Sequence, residues 1–121
     1  MSTLRVLLVD DEWEFLEPTA ARLRRRGLTC VTAHSGEEAL VALGGGPFDC
    51  AVVDVKMPGM NGLELLRRMR HEYPDLPVVL LTGHASVQLG VQGMDLGAFE
   101  YLLKPVEVDD LLDVVRRAAG V

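Results

Sequence analysis

Hydrophobic and polar positions follow two periods along this chain, in five successive cycles. Each cycle opens with a short, almost continuous apolar run and then passes into apolar residues spaced three or four apart. "LRVLLV" at 4–9 is the first run. Leu16, Ala20 and Leu23 then share one face of a helix over 14–26, which Gly27 ends. Pro18 lacks an N–H to donate, so the helix is expected to begin near Glu14 or Phe15, with Pro18 in its first turn. "LTCVTA" at 28–33 is the second strand, and Ser35 with Glu38 predicts a capping box for a helix through Leu43, stopped by "GGGP". "FDCAVVD" at 48–54 is the third strand. Asn61 and Glu64 then open a helix that runs to Glu72, and "YPDLP" breaks it. "VVLLT" at 78–82 is the fourth strand. The pattern over 86–96 is a weak helix, because Gly90 and Gly93 lie inside it and each costs about 1 kcal/mol relative to Ala. "FEYLLK" at 99–104 is the fifth strand and 107–119 the last helix.

Five strand-then-helix units predict an α/β fold: a five-stranded parallel sheet, doubly wound, with helices on both faces. The first, third and fourth strands are nearly all apolar, as central strands buried on both faces must be. Thr29 and Thr32 mark the second as an edge. No repeat, low-complexity segment or linker interrupts the pattern, so residues 1–121 are read as a single domain. Ligand sites of such sheets lie beyond the carboxyl ends of the strands, where the strand order reverses. The residues predicted to stand there are Asp10, Asp11 and Glu12 after the first strand, Asp54 at the end of the third, Thr82 at the end of the fourth, and Lys104 before Pro105 after the fifth.

Composition narrows the functions available. The 121 residues carry a net charge of −6, and the basic run "RLRRRG" at 22–27 suits a helix C-terminus, so direct nucleic-acid binding is not expected. No apolar run approaches the roughly 20 residues of a membrane span, and the acidic "DDE" follows "LRVLLV" too soon for a signal peptide. A cytoplasmic location is therefore expected. Cys30 and Cys50 fall within strands and read as buried thiols, and no Cys or His spacing suggests a soft-metal site.

The carboxylate group needs a cation. Two carboxylates about 4 Å apart repel by about 4 kcal/mol at an effective dielectric of about 20. Clustered oxygens without His or Cys suit a hard ion such as Mg²⁺, which prefers to share phosphate oxygens. An ionised Asp is a weak but competent nucleophile toward phosphorus and gives an acyl phosphate. Charge developing on the phosphoryl oxygens can then be met by Mg²⁺, by the Lys104 ammonium and by the Thr82 hydroxyl, with Asp54 as the attacking group. A phosphohydrolase built on an aspartyl phosphate would place a second Asp two residues after the nucleophile, where this chain has Lys56. A flavodoxin-like cofactor binder would need a glycine-rich phosphate loop after the first strand, where this chain has "DDE".

Together, "LLVDDE", "VVDVKMPGMNG", "LLTGHA" and "YLLKP" resemble the receiver domain of bacterial two-component response regulators, over essentially the whole chain. The resemblance implies a flavodoxin-like sheet of order 2-1-3-4-5. It implies phosphoryl transfer to Asp54 from a sensor histidine kinase or a phosphotransfer protein, in a signalling domain that catalyses its own phosphotransfer and slow dephosphorylation. Mg²⁺ would be held by Asp11, Asp54 and the backbone carbonyl of Lys56, and through water by Asp10. Thr82 would be the switch hydroxyl, Lys104 the phosphate-binding lysine and Tyr101 the aromatic that follows the switch. The surface around the fourth helix, fifth strand and fifth helix would change with it. Lys56 and His84 occupy positions that tune loss of the phosphoryl group, and the Lys104–Pro105 bond would be cis. Gly83 departs from the Ala that many receivers carry there. A C-terminal effector domain and a homodimer are partners that the resemblance allows. The alternative is a receiver-like interaction module that works without phosphorylation, and the complete acidic set argues against it.

Overall fold

The computed structural model describes residues 3–121. Five strands, β1 (Arg5–Val9), β2 (Thr29–Ala33), β3 (Cys50–Asp54), β4 (Val78–Thr82) and β5 (Glu100–Leu103), form one sheet in the order β2-β1-β3-β4-β5. All four pairings are parallel, and Val6 sits in register with Cys30 on one side and Cys50 on the other. Five helices alternate with the strands: α1 (Trp13–Arg25), α2 (Gly36–Leu43), α3 (Gly62–Glu72), α4 (Val87–Asp95) and α5 (Val108–Ala119). The predicted doubly wound fold and its strand order are both present.

The reason lies in the strand pattern. Successive side chains point to opposite faces. Val6, Leu8, Val52, Val79 and Leu81 therefore pack with Leu16, Ala20 and Leu23 of α1 and Leu111 and Val115 of α5. Leu7, Val9, Ala51, Val53 and Leu80 face the other way, against Ala39 and Leu43 of α2 and Leu63, Leu66 and Met69 of α3. A strand covered on both faces is apolar along its length, and β3 and β4 are buried at every position, with polar Asp54 and Thr82 only at their carboxyl ends. The edge strands β2 and β5 are the partly exposed ones. Cys30 and Cys50 are buried free thiols. Among the described residues, no helix is long and apolar enough to cross a membrane.

Three local expectations change. Helix α1 begins at Trp13, so Pro18 lies in its second turn, not its first. The Glu14 carbonyl thereby loses its helical donor, but only close to the N-terminus, where few bonds depend on it. Ser35 does accept from the Glu38 backbone N–H at 3.1 Å. The Glu38 carboxylate, however, takes the His34 backbone N–H and lies 3.1 Å from His34 Nδ1, so the reciprocal half of the capping box is absent. The weak helix over 86–96 divides into a 3₁₀ turn, His84–Ser86, and α4. Its glycines are close-contact positions: a Cβ on Gly93 would lie 2.1 Å from Leu80 Cδ1, and one on Gly90 3.0 Å from the Tyr101 ring.

Candidate functional site

Four strands deliver the site, each at its carboxyl end or in the loop just beyond it. The β1 ladder stops at Val9, and Asp10 follows fully buried. One of its carboxylate oxygens accepts the Glu12 N–H at 2.9 Å, which bends the chain into α1, and the other receives Lys104 Nζ at 2.6 Å. Asp54 is the last residue of β3, in register with Leu81 and only 5% exposed. A charge is carried to the end of a hydrophobic strand here because the chain turns back over it. Val55 and Met57 stay buried, and the Gly62 N–H donates to the Val55 carbonyl at 2.9 Å. Gly62 comes so close that a Cβ would lie 2.4 Å from the Asp54 carbonyl oxygen and 2.6 Å from Val55 Cα. Asn61 Oδ1 then accepts the N–H groups of Leu63 and Glu64, both at 3.0 Å, and starts α3.

Carboxylate oxygens of Asp10, Glu12 and Asp54 gather within 4.8 Å of one another. Lys104 stands among them, 3.1 Å from Glu12 Oε1 and 3.8 Å from Asp54 Oδ1, with its ammonium 4.4 Å above the Phe15 ring centroid. The Lys104–Pro105 bond is cis. Burial pushes the Asp54 carboxyl up to about 7, and the charge of Asp10 adds to this, while Lys104 pulls it down. Asp10 is raised too, chiefly by burial, against the hydrogen bond from Lys104. Burial opposes the Lys104 charge, but the bond to Asp10 and the charge of Asp54 outweigh it and hold the ammonium above its ordinary range. Three acidic groups with one ammonium leave this pocket short of positive charge.

The other predicted residues sit around this centre. Asp11 is half-buried and belongs to no such oxygen group among the described residues, although its charge contributes to raising Asp54. Lys56 is exposed just past β3, and its carbonyl takes no backbone hydrogen bond among the described residues. Thr82 is fully buried, with Oγ1 2.8 Å from Ser86 Oγ. Tyr101 is half-buried beneath Gly90, and His84 is exposed. Trp13 stacks on His34 with centroids 3.5 Å apart.

Phe15, Ser86 and Gly62 escaped assignment to the site from sequence, and Glu12 was placed at its rim without a role. Its place in the acidic run after β1 put Glu12 at that rim, and the structure adds that its carboxylate joins those of Asp10 and Asp54. Ser86 is four residues from Thr82, and only the intervening 3₁₀ turn brings the two hydroxyls together.

Comparison with known proteins agrees with the geometry. Residues 6–116 match the model of the response regulator receiver domain. The chain is 38% identical over 113 residues to the DNA-binding transcriptional regulator NtrC of Salmonella typhimurium, covering 93% of this chain and 24% of that protein. It is 42% identical over 115 residues to the response regulator protein FleR of Pseudomonas aeruginosa, covering 95% and 24%. A response regulator receiver domain protein from Clostridium thermocellum superposes with a TM-score of 0.92 at 33% identity, covering 97% of this chain and 94% of that one. The receiver domain of NtrX from Brucella abortus superposes with a TM-score of 0.91 at 30% identity, covering 96% and 98%. This chain thus spans about a quarter of the length of NtrC and FleR. With a doubly wound sheet of order 2-1-3-4-5, an acidic pocket at its carboxyl edge and a family model that matches nearly end to end, the chain belongs to the response regulator receiver domains of two-component signalling.

Proposed function

We propose that this domain, folding as one unit over residues 1–121, accepts a phosphoryl group on Asp54 from a phosphohistidine of a sensor histidine kinase or phosphotransfer protein, with Mg²⁺ as cofactor, in the cytoplasm. One observation carries the reading: a buried carboxylate, at the end of a central strand, shares its pocket with two more carboxylates within 4.8 Å and an ammonium at 3.8 Å.

The donor set fits a hard divalent ion, because every gathered side-chain ligand is an oxygen. Asp54, Asp10 and the free Lys56 carbonyl would hold it. Asp11 and Glu12 are candidates for the remaining position, and the grouping of oxygens favours Glu12. When bound, Mg²⁺ supplies positive charge to a phosphoryl oxygen and returns Asp54 to its ionised form.

The protein's own groups do the rest. An Asp54 carboxylate oxygen attacks phosphorus, the P–N bond to the donor imidazole breaks, and its electron pair leaves on the ring nitrogen. Lys104 then exchanges part of its contact with Asp10 for a phosphoryl oxygen, and the Thr82 hydroxyl serves another. The acyl phosphate is lost to water slowly, at a rate that Lys56 and His84 help set from the rim. The domain is a switch whose self-catalysed chemistry serves signalling. Its output would pass through the face carrying Val91, Met94, Phe99 and Leu103, all exposed on α4, β5 and the turn between them. That face is suited to a second copy or to an effector domain further along a longer chain, as the DNA-binding character of NtrC suggests.

The test is intact-mass spectrometry after incubation with acetyl phosphate and Mg²⁺. One labile phosphoryl group per chain is expected, absent from Asp54→Ala and without Mg²⁺. A label that survives Asp54→Ala, or none on the wild type, overturns the proposal.

A further inference from the structure

The Thr82 hydroxyl is already engaged. Its oxygen lies 2.8 Å from Ser86 Oγ and 3.2 Å from the Gly83 carbonyl oxygen. Ser86 Oγ also accepts the Gly83 N–H at 3.2 Å and lies 3.3 Å from the same Gly83 carbonyl. Both side chains are buried, Thr82 at 0% and Ser86 at 7% exposure. Two hydroxyl protons therefore have each other and one carbonyl as acceptors. Either Thr82 donates to Ser86 and Ser86 to Gly83, or Ser86 donates to Thr82 and Thr82 to Gly83. In both arrangements the ring closes, and neither leaves the Thr82 proton free for a phosphoryl oxygen.

We propose that Ser86 is a positioning residue, which holds the Thr82 hydroxyl at the entry to α4 and so sets how readily the pocket accepts a phosphoryl group. The inference rests on the reading above, in which Thr82 serves the phosphoryl group on Asp54. The two partners are not equally affected when Thr82 leaves. Ser86 keeps the Gly83 N–H as donor and the Gly83 carbonyl as acceptor, so it remains satisfied. Thr82 exchanges a neutral partner for a charged oxygen, which binds a hydroxyl more strongly. Ser86 thus biases the switch and does not lock it. One buried neutral hydrogen bond corresponds to about a fivefold bias between the two positions.

The ring also ties the switch to α4. Ser86 is the last residue of the 3₁₀ turn and immediately precedes Val87. One turn further on, a Cβ at Gly90 would meet Thr82 Cγ2 at 3.3 Å and the Tyr101 ring at 3.0 Å. Helix, switch threonine and aromatic therefore lie side by side around Gly90, and release of the Thr82–Ser86 bond uncouples the end of α4 nearest the pocket from Thr82.

The experiment is calorimetric titration of beryllofluoride, a phosphoryl mimic, into the Mg²⁺-loaded protein. Ser86→Ala is expected to bind about fivefold more tightly than wild type, and Ser86→Thr, which keeps the hydroxyl, to bind like wild type. In a Thr82→Ala background, Ser86→Ala should change nothing, because the residue acts only through Thr82. Equal or weaker binding by Ser86→Ala, or the same gain without Thr82, overturns the inference while leaving phosphorylation of Asp54 standing. A wild type that binds no beryllofluoride removes the reading beneath it, and this inference with it. A measurement on the wild type alone avoids any folding defect of the variants. In methyl and amide NMR, the Thr82 methyl and Ser86 amide signals should shift together as beryllofluoride is added. A Ser86 signal that stays in place while Thr82 moves overturns the proposal.

Discussion

At the scale of single residues, the pocket is a balance between burial and charge. Asp54 is nearly inaccessible, and its carboxyl is raised to about 7 by burial and then by Asp10. The folded chain therefore holds this proton at pH values where the unfolded chain has released it. From about pH 4 to about pH 7 the folded state binds more protons, so stability falls as pH rises through that window. Asp54→Asn removes the buried charge. The variant is expected to exceed wild type by about 2–4 kcal/mol in urea unfolding at about pH 8, and to match it below about pH 4. A residual slope from Asp10, raised in the same direction, should remain. Lys104 sets a second expectation. Its ammonium occupies the same carboxylates that a divalent ion would, at 2.6 Å from Asp10 and 3.8 Å from Asp54. Lys104→Met should therefore tighten Mg²⁺ binding about tenfold while weakening beryllofluoride about tenfold or more, because the ammonium competes with the metal but assists the phosphoryl group. Titration calorimetry of both ligands checks the two signs. Asp10, Asp54 and Lys104 were legible in the sequence because each stands at or just beyond the end of a strand. Glu12 was legible as a neighbour of Asp10 but not as a partner of Asp54, since a carboxylate in a helix-entry loop is ordinarily solvated.

At the scale of elements, glycines decide how closely the helices approach the sheet. Gly62 lies over backbone atoms of Asp54 and Val55, which cannot move aside without disturbing β3. Gly62→Ala is expected to lose about 2–4 kcal/mol in urea unfolding. Gly93 faces side-chain atoms alone, the end of Leu80 closest and Leu63 Cδ2 at ordinary contact distance. Gly93→Ala should lose less, about 1–2 kcal/mol, because Leu80 can yield and the helix gains about 1 kcal/mol from Ala. Equal losses in the two variants would contradict the distinction between backbone and side-chain neighbours. The sequence reading took Gly90 and Gly93 as weak points of α4. A sequence shows what a glycine lacks but not what lies opposite it, and here the opposite partners are Leu80 and Tyr101. The caps were more legible: Asn61 does start α3, because a cap bonds only its own next turn.

At the scale of the whole molecule, the chain carries a net charge of −6, and its acidic pocket gathers at the carboxyl edge of the sheet. An ion that binds only the folded state stabilises it by mass action. Mg²⁺ at about a hundred times its Kd should add about 2.7 kcal/mol to wild type, measured as a shift in the urea midpoint. EDTA should reverse the shift, and Asp54→Asn should lose most of it. Calcium in place of magnesium should stabilise less, because Ca²⁺ asks for more ligands than three carboxylates and a carbonyl provide. Trp13, the single tryptophan, stacks on His34 beside Glu12 and offers a fluorescence readout of the same titration.

The sequence by itself determined the elements, their alternation, the parallel sheet buried on both faces, and the edge at which the chemistry gathers. All of these follow from periodicity and from turn residues, which act over a few neighbours. Only the tertiary structure decided which of the acidic residues meet, that Lys104 bonds Asp10 across 94 positions of chain, and that Ser86 engages Thr82. It also decided that the glycines of α4 are contacts. Pairings of this kind depend on how loops from separate strands converge in space, and no local pattern in a single sequence encodes that distance.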